Sequence, residues 1–335
     1  MLHEFGESKK IDLEYIIINK AYCNELEMKM IAEAKVIIVS ANMELLNSIT
    51  LRPETVLIQI MNNAFPYLKY GMSKTYKIIN EEELVKEKYT NQYSYIPVAS
   101  INTAKMISDI YGMKRGNWAK AFGSCITDIY FANEYLSRAK NKKNALLHDK
   151  EASEKKILLY MPMFRYRNAS CQFPEVLDIM RLKHLIGQEY TILVSLDKKI
   201  KDKLVDMPID NEIVFDFSDK MSIREQMCIA DIIVGDYLPV FFEAALLRKP
   251  IYCTSYDCRK VEHDSQTNTT YAEVQLGPVV RNSDDLAQKL QNTDRYDYSL
   301  QEKFREKYLE NCKGTSGQAL TRFIEETIFD NTLLY

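Results

Sequence analysis

Short runs of apolar, mostly β-branched residues recur along the chain, and amphipathic stretches lie between them. Because both faces of these runs are apolar, they are typical of parallel strands buried between helices. The predicted strands are Tyr15–Ile18, Val36–Val39, Val56–Ile60, Ile157–Tyr160, Thr191–Val194, Ile232–Val234 and Ile251–Cys253. The predicted helices include Asn24–Ala34, Thr103–Tyr111, Cys125–Arg138, Pro174–Leu185 and Ile223–Ala230. This alternation predicts a doubly wound α/β architecture.

A polar, charge-dense stretch, Ser137–Lys156, divides the chain almost in half, and a new strand follows it at once. We therefore predict an amino-terminal domain over residues 1–150 and a carboxyl-terminal domain over residues 151–335. The alternative is a long surface helix within one domain. The segment Leu300–Ile328 is predicted to form two terminal helices that a Gly-Thr-Ser-Gly sequence separates.

Composition narrows the classes of function. The formal net charge of the 335-residue chain is only -3, which argues against a dedicated nucleic-acid binder. Seven scattered cysteines without a CxxC pair, and four isolated histidines, predict no metal site and a reducing, cytoplasmic compartment. No cofactor is predicted. Because no apolar run approaches the roughly 18 residues of a bilayer span, any membrane contact is expected to be peripheral.

The best-defined chemical unit is the strand–loop–helix segment Ile232–Leu247. Pro239 stands where the first helical residue is expected, a position that its fixed φ favours. Unpaired N–H groups and partial positive charge at such a helix start attract a diphosphate, and Glu243 lies one turn further, within reach of a ribose. The alternative is a structural junction of the kind that any α/β protein contains.

Two other strand ends carry polar groups. Arg165 and Arg167 follow the strand that ends at Tyr160, where an arginine fork suits phosphate or carboxylate, although both also fit an exposed loop. Asn62 and Asn63 follow the strand at Val56–Ile60. Their amides can orient a substrate but cannot serve as a general base near neutral pH.

Taken together, these segments resemble a known family, the CDP-glycerol:poly(glycerophosphate) glycerophosphotransferases, which build teichoic acids and similar capsule polymers. The resemblance extends from about Ile31 to Ile328. The segments that carry it are IQIMNNAFPYLKYG (Ile58–Gly71), GSCITD (Gly123–Asp128), LLYMPMFR (Leu158–Arg165), ADIIVGDYLPVFFEAALLRKPI (Ala230–Ile251) and GPVV (Gly277–Val280). The fourth segment and LLYMPMFR are the most specific.

The resemblance implies a GT-B-like fold, in which two Rossmann-like domains with parallel sheets face a central cleft. The carboxyl-terminal domain would bind a CDP-activated polyol, and a reduced amino-terminal domain would receive a lipid-linked polymer. The implied reaction transfers a glycerol- or ribitol-phosphate unit to a teichoic acid or capsule polymer at the cytoplasmic membrane face. By position, the implied donor-binding residues are Arg165, Asp236, Tyr237, Leu238, Pro239 and Glu243.

Several polar positions of the family pattern are substituted. Asn62 stands where the family has the histidine expected to act as base, and Ile126 stands where it has an arginine. Asp197 replaces a further histidine. Leu238 and Pro239 replace two serines that are expected to contact phosphate, and Pro239 also lacks a backbone N–H for an anion.

Three hypotheses follow. In the first, the chain is a polyol-phosphate transferase whose catalytic residues are Asn62 and Asp128, with Asp128 as the substitute base and His184 or His263 as other candidates. In the second, it is a non-catalytic GT-B relative that partners an active transferase. In the third, it is a GT-B glycosyltransferase that uses a nucleotide sugar.

Overall fold

The computed structural model describes residues 17–18, 23–40, 46, 49–67, 93–111, 118–147, 150–162, 165–167, 170–172, 176–196, 209–255, 258–259, 262 and 267–329. Its amino-terminal half is built on two parallel strand pairs, which a parallel bridge between Ile58 and Tyr95 links. The elements of this half are α1 (Glu25–Glu33), β1 (Val36–Val39), β2 (Val56–Gln59), β3 (Ile96–Pro97), α2 (Ile101–Tyr111), β4 (Ala119–Lys120), a 3₁₀ helix (Cys125–Phe131), α3 (Asn133–Leu146) and α4 (Lys150–Glu154).

The carboxyl-terminal half contains a five-stranded parallel sheet, in which the strands starting at Ile251, Ile232, Lys156, Tyr190 and Val214 lie side by side in that order. Its strands and the short hairpin that follows β5 are β5 (Lys156–Met161), β6 (Arg165–Arg167), β7 (Ser170–Gln172), β8 (Tyr190–Val194), β9 (Val214–Phe215), β10 (Ile232–Gly235) and β11 (Ile251–Cys253). Its helices are α5 (Ile179–Ile186), α6 (Ile223–Ile229), a 3₁₀ helix (Pro239–Leu247), α7 (Tyr271–Val274), α8 (Ser283–Leu290), a 3₁₀ turn (Thr293–Arg295), α9 (Ser299–Tyr308) and α10 (Ser316–Phe329).

Successive side chains of each strand point to opposite faces of this sheet, and both faces are buried. Leu158 and Tyr160 of β5 pack under α5 and α8 on one face. Ile157 and Leu159 face the other side, where they meet α6 and the Pro239–Leu247 helix. The two-sided burial explains why these strands are apolar at every position.

The apolar core on the Ile157 and Leu159 face of the sheet extends across both halves of the molecule. Phe65 of the amino-terminal half lies 5.0 Å from Phe242 and 5.0 Å from Phe304 of α9, measured between ring centroids. The terminal helix α10 returns to the first sheet, where Leu320 and Ile324 pack against β2. The two helices predicted over Leu300–Ile328 are therefore confirmed, while the domain boundary at residue 150 stays a prediction.

Most predicted elements are present within a few residues of their expected ends. The Ser137–Lys156 stretch is largely helical, and its Ala139 is buried against the carboxyl-terminal core. The continuous helix predicted over Cys125–Arg138 is wrong, because the chain is extended at Ala132 between a 3₁₀ helix and α3. The predicted strand Tyr15–Ile18 lies partly outside the described residues, and its last two residues are not in a strand.

Removing the Leu320 side chain tests the packing of α10 on the first sheet. Leu320 is fully buried, so Leu320→Ala is expected to lower the free energy of unfolding by about 2–5 kcal/mol through lost burial and a residual cavity. Urea denaturation measures the change. Arg322→Ala, on the exposed face of the same helix, is the control and should change stability by less than about 0.5 kcal/mol. Equal effects of the two changes would contradict this packing.

Candidate functional site

The loop after β10 lies at the carboxyl edge of the second sheet, where open parallel sheets bind their ligands. Gly235 ends the strand, and a Cβ atom at this position would lie 2.6 Å from Cδ2 of Phe241. The glycine therefore allows the following helix to fold back tightly onto the strand. The predicted helix is present as a 3₁₀ helix, and Pro239 does occupy its first turn.

The predicted donor residues of this loop differ in exposure. Leu238 and Pro239 are half-buried, so part of each is open to a ligand at the helix start. Asp236 is buried, and its Oδ1 accepts a hydrogen bond from the Tyr237 N–H at 2.6 Å. The Tyr237 ring is fully buried and packs edge-on against Tyr271, with 5.0 Å between ring centroids. The loop thus presents its apolar pair outward and turns its tyrosine into the core.

Arg165 opens the β6–β7 hairpin that follows the carboxyl end of β5, and its backbone pairs with Gln172 in antiparallel register. β5 is the neighbour of β10 in the sheet. Two of the predicted donor segments therefore leave the same edge of the sheet from adjacent strands.

Glu243 is the centre of a buried polar cluster. Its side chain has no exposed surface, and its two oxygens accept four hydrogen bonds. Arg224 donates from Nε to Oε2 and from Nη2 to Oε1, both at 2.8 Å. The Tyr130 hydroxyl donates to Oε2 at 2.7 Å, and the Ala64 N–H donates to Oε1 at 3.2 Å. Arg224 Nη2 also donates to the Asn62 carbonyl oxygen at 2.7 Å. We name these five residues the Glu243 cluster.

Burial and charge together set the protonation states of the cluster. Burial acts to lower the pKa of Arg224, but the hydrogen bonds and charge of Glu243 outweigh it and raise the pKa, so the guanidinium stays positive. Burial, followed by the neighbouring Glu243 carboxylate, raises the pKa of Tyr130 well above its ordinary value. The tyrosine therefore keeps its proton and acts as a donor to the carboxylate.

Asp128 lies on the same 3₁₀ helix as Tyr130, but its carboxylate points to the start of α10. Its oxygens accept hydrogen bonds from the N–H groups of Ser316, at 3.2 Å, and Gly317, at 2.7 Å. A carboxylate at this end of a helix also interacts favourably with the helix dipole. Asp128 therefore has a structural role in this conformation, and its predicted catalytic role stays a prediction.

Asn62 follows the carboxyl end of β2 and is exposed. The structure brings its backbone next to Arg224 and the Glu243 cluster, so the amino- and carboxyl-terminal candidate segments do meet. His184 is exposed on the last turn of α5, just before β8 begins, and therefore lies at the opposite edge of the sheet. Asp197 and His263 lie outside the described residues.

Sequence reasoning missed Arg224 and Tyr130. One signal for Arg224 was available, because it stands in the first turn of α6, where the helix dipole disfavours a positive side chain. Ser222 and Glu225 form a capping box at this helix start, so the arginine contributes nothing to capping. An arginine at such a position indicates a partner elsewhere in the fold.

Two absences hold for the part of the chain that the structure describes. No group of three or more His, Cys, Asp or Glu side chains is placed there to hold a metal ion. No helix among those residues has both the length and the apolar character needed to cross a bilayer.

Comparison with known proteins decides the family. The family model described as CDP-Glycerol:Poly(glycerophosphate) glycerophosphotransferase matches residues 8–328. The chain belongs to this family. A teichoic acid glycerol-phosphate primase of Bacillus subtilis (strain 168) is 26% identical over 296 residues, which cover 87% of this chain and 74% of the primase. The predicted family is thus confirmed.

Solved structures agree on the fold of this glycerophosphotransferase family member. A CDPG-soaked structure of the wall teichoic acid polymerase TagF matches with a TM-score of 0.71 at 19% identity, over 89% of this chain and 74% of TagF. UDP-GlcNAc 2-epimerase from Neisseria meningitidis matches with a TM-score of 0.51 at 10% identity, over 88% of this chain and 76% of the epimerase. These likenesses confirm the predicted GT-B-like fold.

The close approach at Gly235 gives a direct test of the loop after β10. Gly235→Ala is expected to displace Phe241 and to lower the free energy of unfolding by about 1–3 kcal/mol, because the added methyl group overpacks a fully buried site. Thermal or urea denaturation measures the loss. Unchanged stability would mean that the 3₁₀ helix can shift away from the strand without cost.

Proposed function

We propose that this glycerophosphotransferase family member transfers a glycerol- or ribitol-phosphate unit from a CDP-activated donor to a teichoic acid or capsule polymer. The observation that carries the proposal is the helix start after β10, at the carboxyl edge of the sheet, within a chain that matches the family over nearly its whole length. The partial positive charge of a helix start suits the diphosphate of a CDP donor, although Pro239 supplies no N–H here and the N–H of Phe241 donates to the Leu238 carbonyl at 2.9 Å. CDPG in the TagF structure supports this class of donor.

In the proposed site, the donor lies over Leu238 and Pro239, with Asp236 and Arg165 in the segments that follow the adjacent strands β10 and β5. Tyr237 and Glu243 support the loop from its buried side, and Glu243 reaches a ribose only if the Glu243 cluster opens. The acceptor hydroxyl approaches from the Asn62 side. Asp128 is the proposed base, and it would have to exchange its contacts with α10 for the acceptor proton.

The proposed acceptor is a lipid-linked polymer, so the protein would act at the cytoplasmic face of the plasma membrane. We expect the contact with the membrane to be peripheral. Co-sedimentation with vesicles that contain anionic phospholipid tests this localisation, and a chain that stays in the supernatant with and without the lipid-linked acceptor contradicts it.

Three observations favour a second candidate function, that of a non-catalytic relative that partners an active transferase. Leu238 and Pro239 present no hydroxyl at the helix start, and Asn62 has no titratable group near neutral pH. Glu243, the residue expected to reach a ribose, has both carboxylate oxygens engaged by four hydrogen bonds within the chain.

Calorimetric titration with CDP-glycerol, CDP-ribitol and nucleotide sugars separates these functions. We expect a CDP-polyol to bind and to be consumed when a lipid-linked acceptor is supplied. Binding of a nucleotide sugar alone would instead indicate a glycosyltransferase. If no nucleotide binds and the chain co-purifies with an active transferase, the partner function is correct and the proposal is wrong.

The role of Asp128 can be separated from its helix contacts. Asp128→Asn keeps one acceptor oxygen for α10, so it should lower the free energy of unfolding by about 0.5–2 kcal/mol. The amide cannot accept the acceptor proton, so turnover should fall by about 10²–10⁴-fold. Steady-state transfer assays measure this loss.

Asp297→Asn is the matched control for Asp128→Asn. Asp297 accepts hydrogen bonds from the N–H and hydroxyl of Ser299 at the start of α9, and the hydroxyl of the adjacent Tyr296 donates to the carbonyl of Ile251, the first residue of β11. Asp297→Asn should lower the free energy of unfolding by a similar amount and leave turnover unchanged. Full turnover in Asp128→Asn would remove Asp128 as the base.

A further inference from the structure

We infer that Arg224 is a positioning residue of the proposed transfer reaction, which holds the acceptor-side turn Asn62–Ala64 against the donor-side helix. The inference rests on the proposed function and adds to it a residue outside the family motifs described above. Its basis is the way in which one guanidinium group serves both halves of the molecule.

The guanidinium of Arg224 uses its donors in two directions. Nε and Nη2 form a two-point contact with the Glu243 carboxylate, each at 2.8 Å. The second hydrogen of Nη2 is directed to the Asn62 carbonyl oxygen, at 2.7 Å. The planar fork fixes the angle between these contacts, which a flexible ammonium group does not do.

The turn is held at two backbone points. Arg224 binds the carbonyl of Asn62, and Glu243 Oε1 binds the N–H of Ala64 at 3.2 Å. The side chain of Asn62 stays exposed. We call these two backbone contacts, together with the Arg224–Glu243 pair that makes them, the clamp. The clamp sets the direction in which Asn62 points without occupying its side-chain amide.

Tyr130 completes the clamp and extends it to a second candidate segment. Its hydroxyl donates to Glu243 Oε2 at 2.7 Å, and its 3₁₀ helix carries Asp128. The two proposed catalytic residues thus belong to segments that are tied to the same carboxylate. The carboxylate is fully buried and only 17% of the Arg224 side chain is exposed, so water competes little for these contacts.

Cohesion between the halves does not by itself require this ion pair. Aromatic rings beside it already join them, since Tyr67 lies 5.2 Å from Phe242 between ring centroids. A buried ion pair is weak support for stability, because desolvation offsets its attraction, and apolar side chains of similar volume often replace it without loss. What the pair adds here is direction, and that is the property a reaction between two halves needs.

Kinetics of Arg224→Gln and Arg224→Lys test the inference. The donor site lies on the carboxyl-terminal half, so we expect the calorimetric Kd for CDP-glycerol to change less than about threefold. The turn is expected to shift, so kcat should fall by about 10–100-fold, with lysine recovering only part of the loss because it lacks the fork. An increased Kd for CDP-glycerol with an unchanged kcat would overturn the positioning role.

Arg181 supplies a matched control. It forms the same two-point contact with Asp284, from Nη2 at 2.7 Å and from Nε at 3.4 Å, but on an exposed surface of α5 and α8. Arg181→Gln should leave both Kd and kcat unchanged. A loss of kcat equal to that of Arg224→Gln would show that the effect is not specific to the clamp.

Hydrogen exchange supplies a measurement that does not depend on activity. Deuterium uptake at the amide of Ala64 should become at least about tenfold faster in Arg224→Gln and should not change in Arg181→Gln. Unchanged uptake in Arg224→Gln would overturn the clamp. If the wild type transfers nothing, the proposed function fails, and the uptake comparison still decides whether Arg224 holds the turn.

Tyr130→Phe keeps the measurement available if the Arg224 variants do not fold. It removes one of the four hydrogen bonds and preserves the ring and the ion pair. We expect faster exchange at Ala64 and a fall in kcat of about 2–10-fold, since a single hydrogen bond to a charged group is lost. No change in either quantity would count against the clamp.

Discussion

The buried carboxylate of Glu243 is the constraint on which the arrangement of the two halves depends. A carboxylate removed from water is costly unless every acceptor position is filled. Here the donors come from α6, from the turn after β2 and from the 3₁₀ helix at Cys125–Phe131. These segments are far apart in sequence, so the requirement of one side chain fixes the relative placement of three parts of the fold.

The strands could be predicted because a fully buried parallel sheet needs apolar residues on both faces. β3, β4 and β9 have two residues each and carry no period long enough to detect. The orientation of Glu243 could not be predicted, because it depends on the type of helix. Four residues past Pro239, a helix of 3.0 residues per turn has rotated about 80° further than one of 3.6 residues per turn. The glutamate therefore points to the core rather than to the edge.

The remaining misses have the same physical origin, which is contact across long stretches of sequence. The pattern around Asp128 indicates a polar turn, but nothing near it identifies Ser316 and Gly317 as its partners. Likewise, the charges of the stretch Ser137–Lys156 predict a surface segment, and nothing near it in sequence identifies α6 as the helix that packs beside it. There Lys142 Nζ lies 2.7 Å from Oε1 of Glu225, so the positive charge of the lysine is paired with a carboxylate of α6. Motif positions were predictable from sequence, whereas the direction of each side chain was not.

The packing of α10 on β2 has a consequence for folding during synthesis. The strands of the second sheet lie between residues 156 and 253, and the helices that cover them end at Tyr308, before α10 begins. Val56 and Ile58 of the first sheet, by contrast, gain their cover only when Leu320 and Ile324 have emerged. The half that is synthesised first is thus the last to be completed. Until then it exposes an apolar strand face, which is a target for chaperones and a source of aggregation.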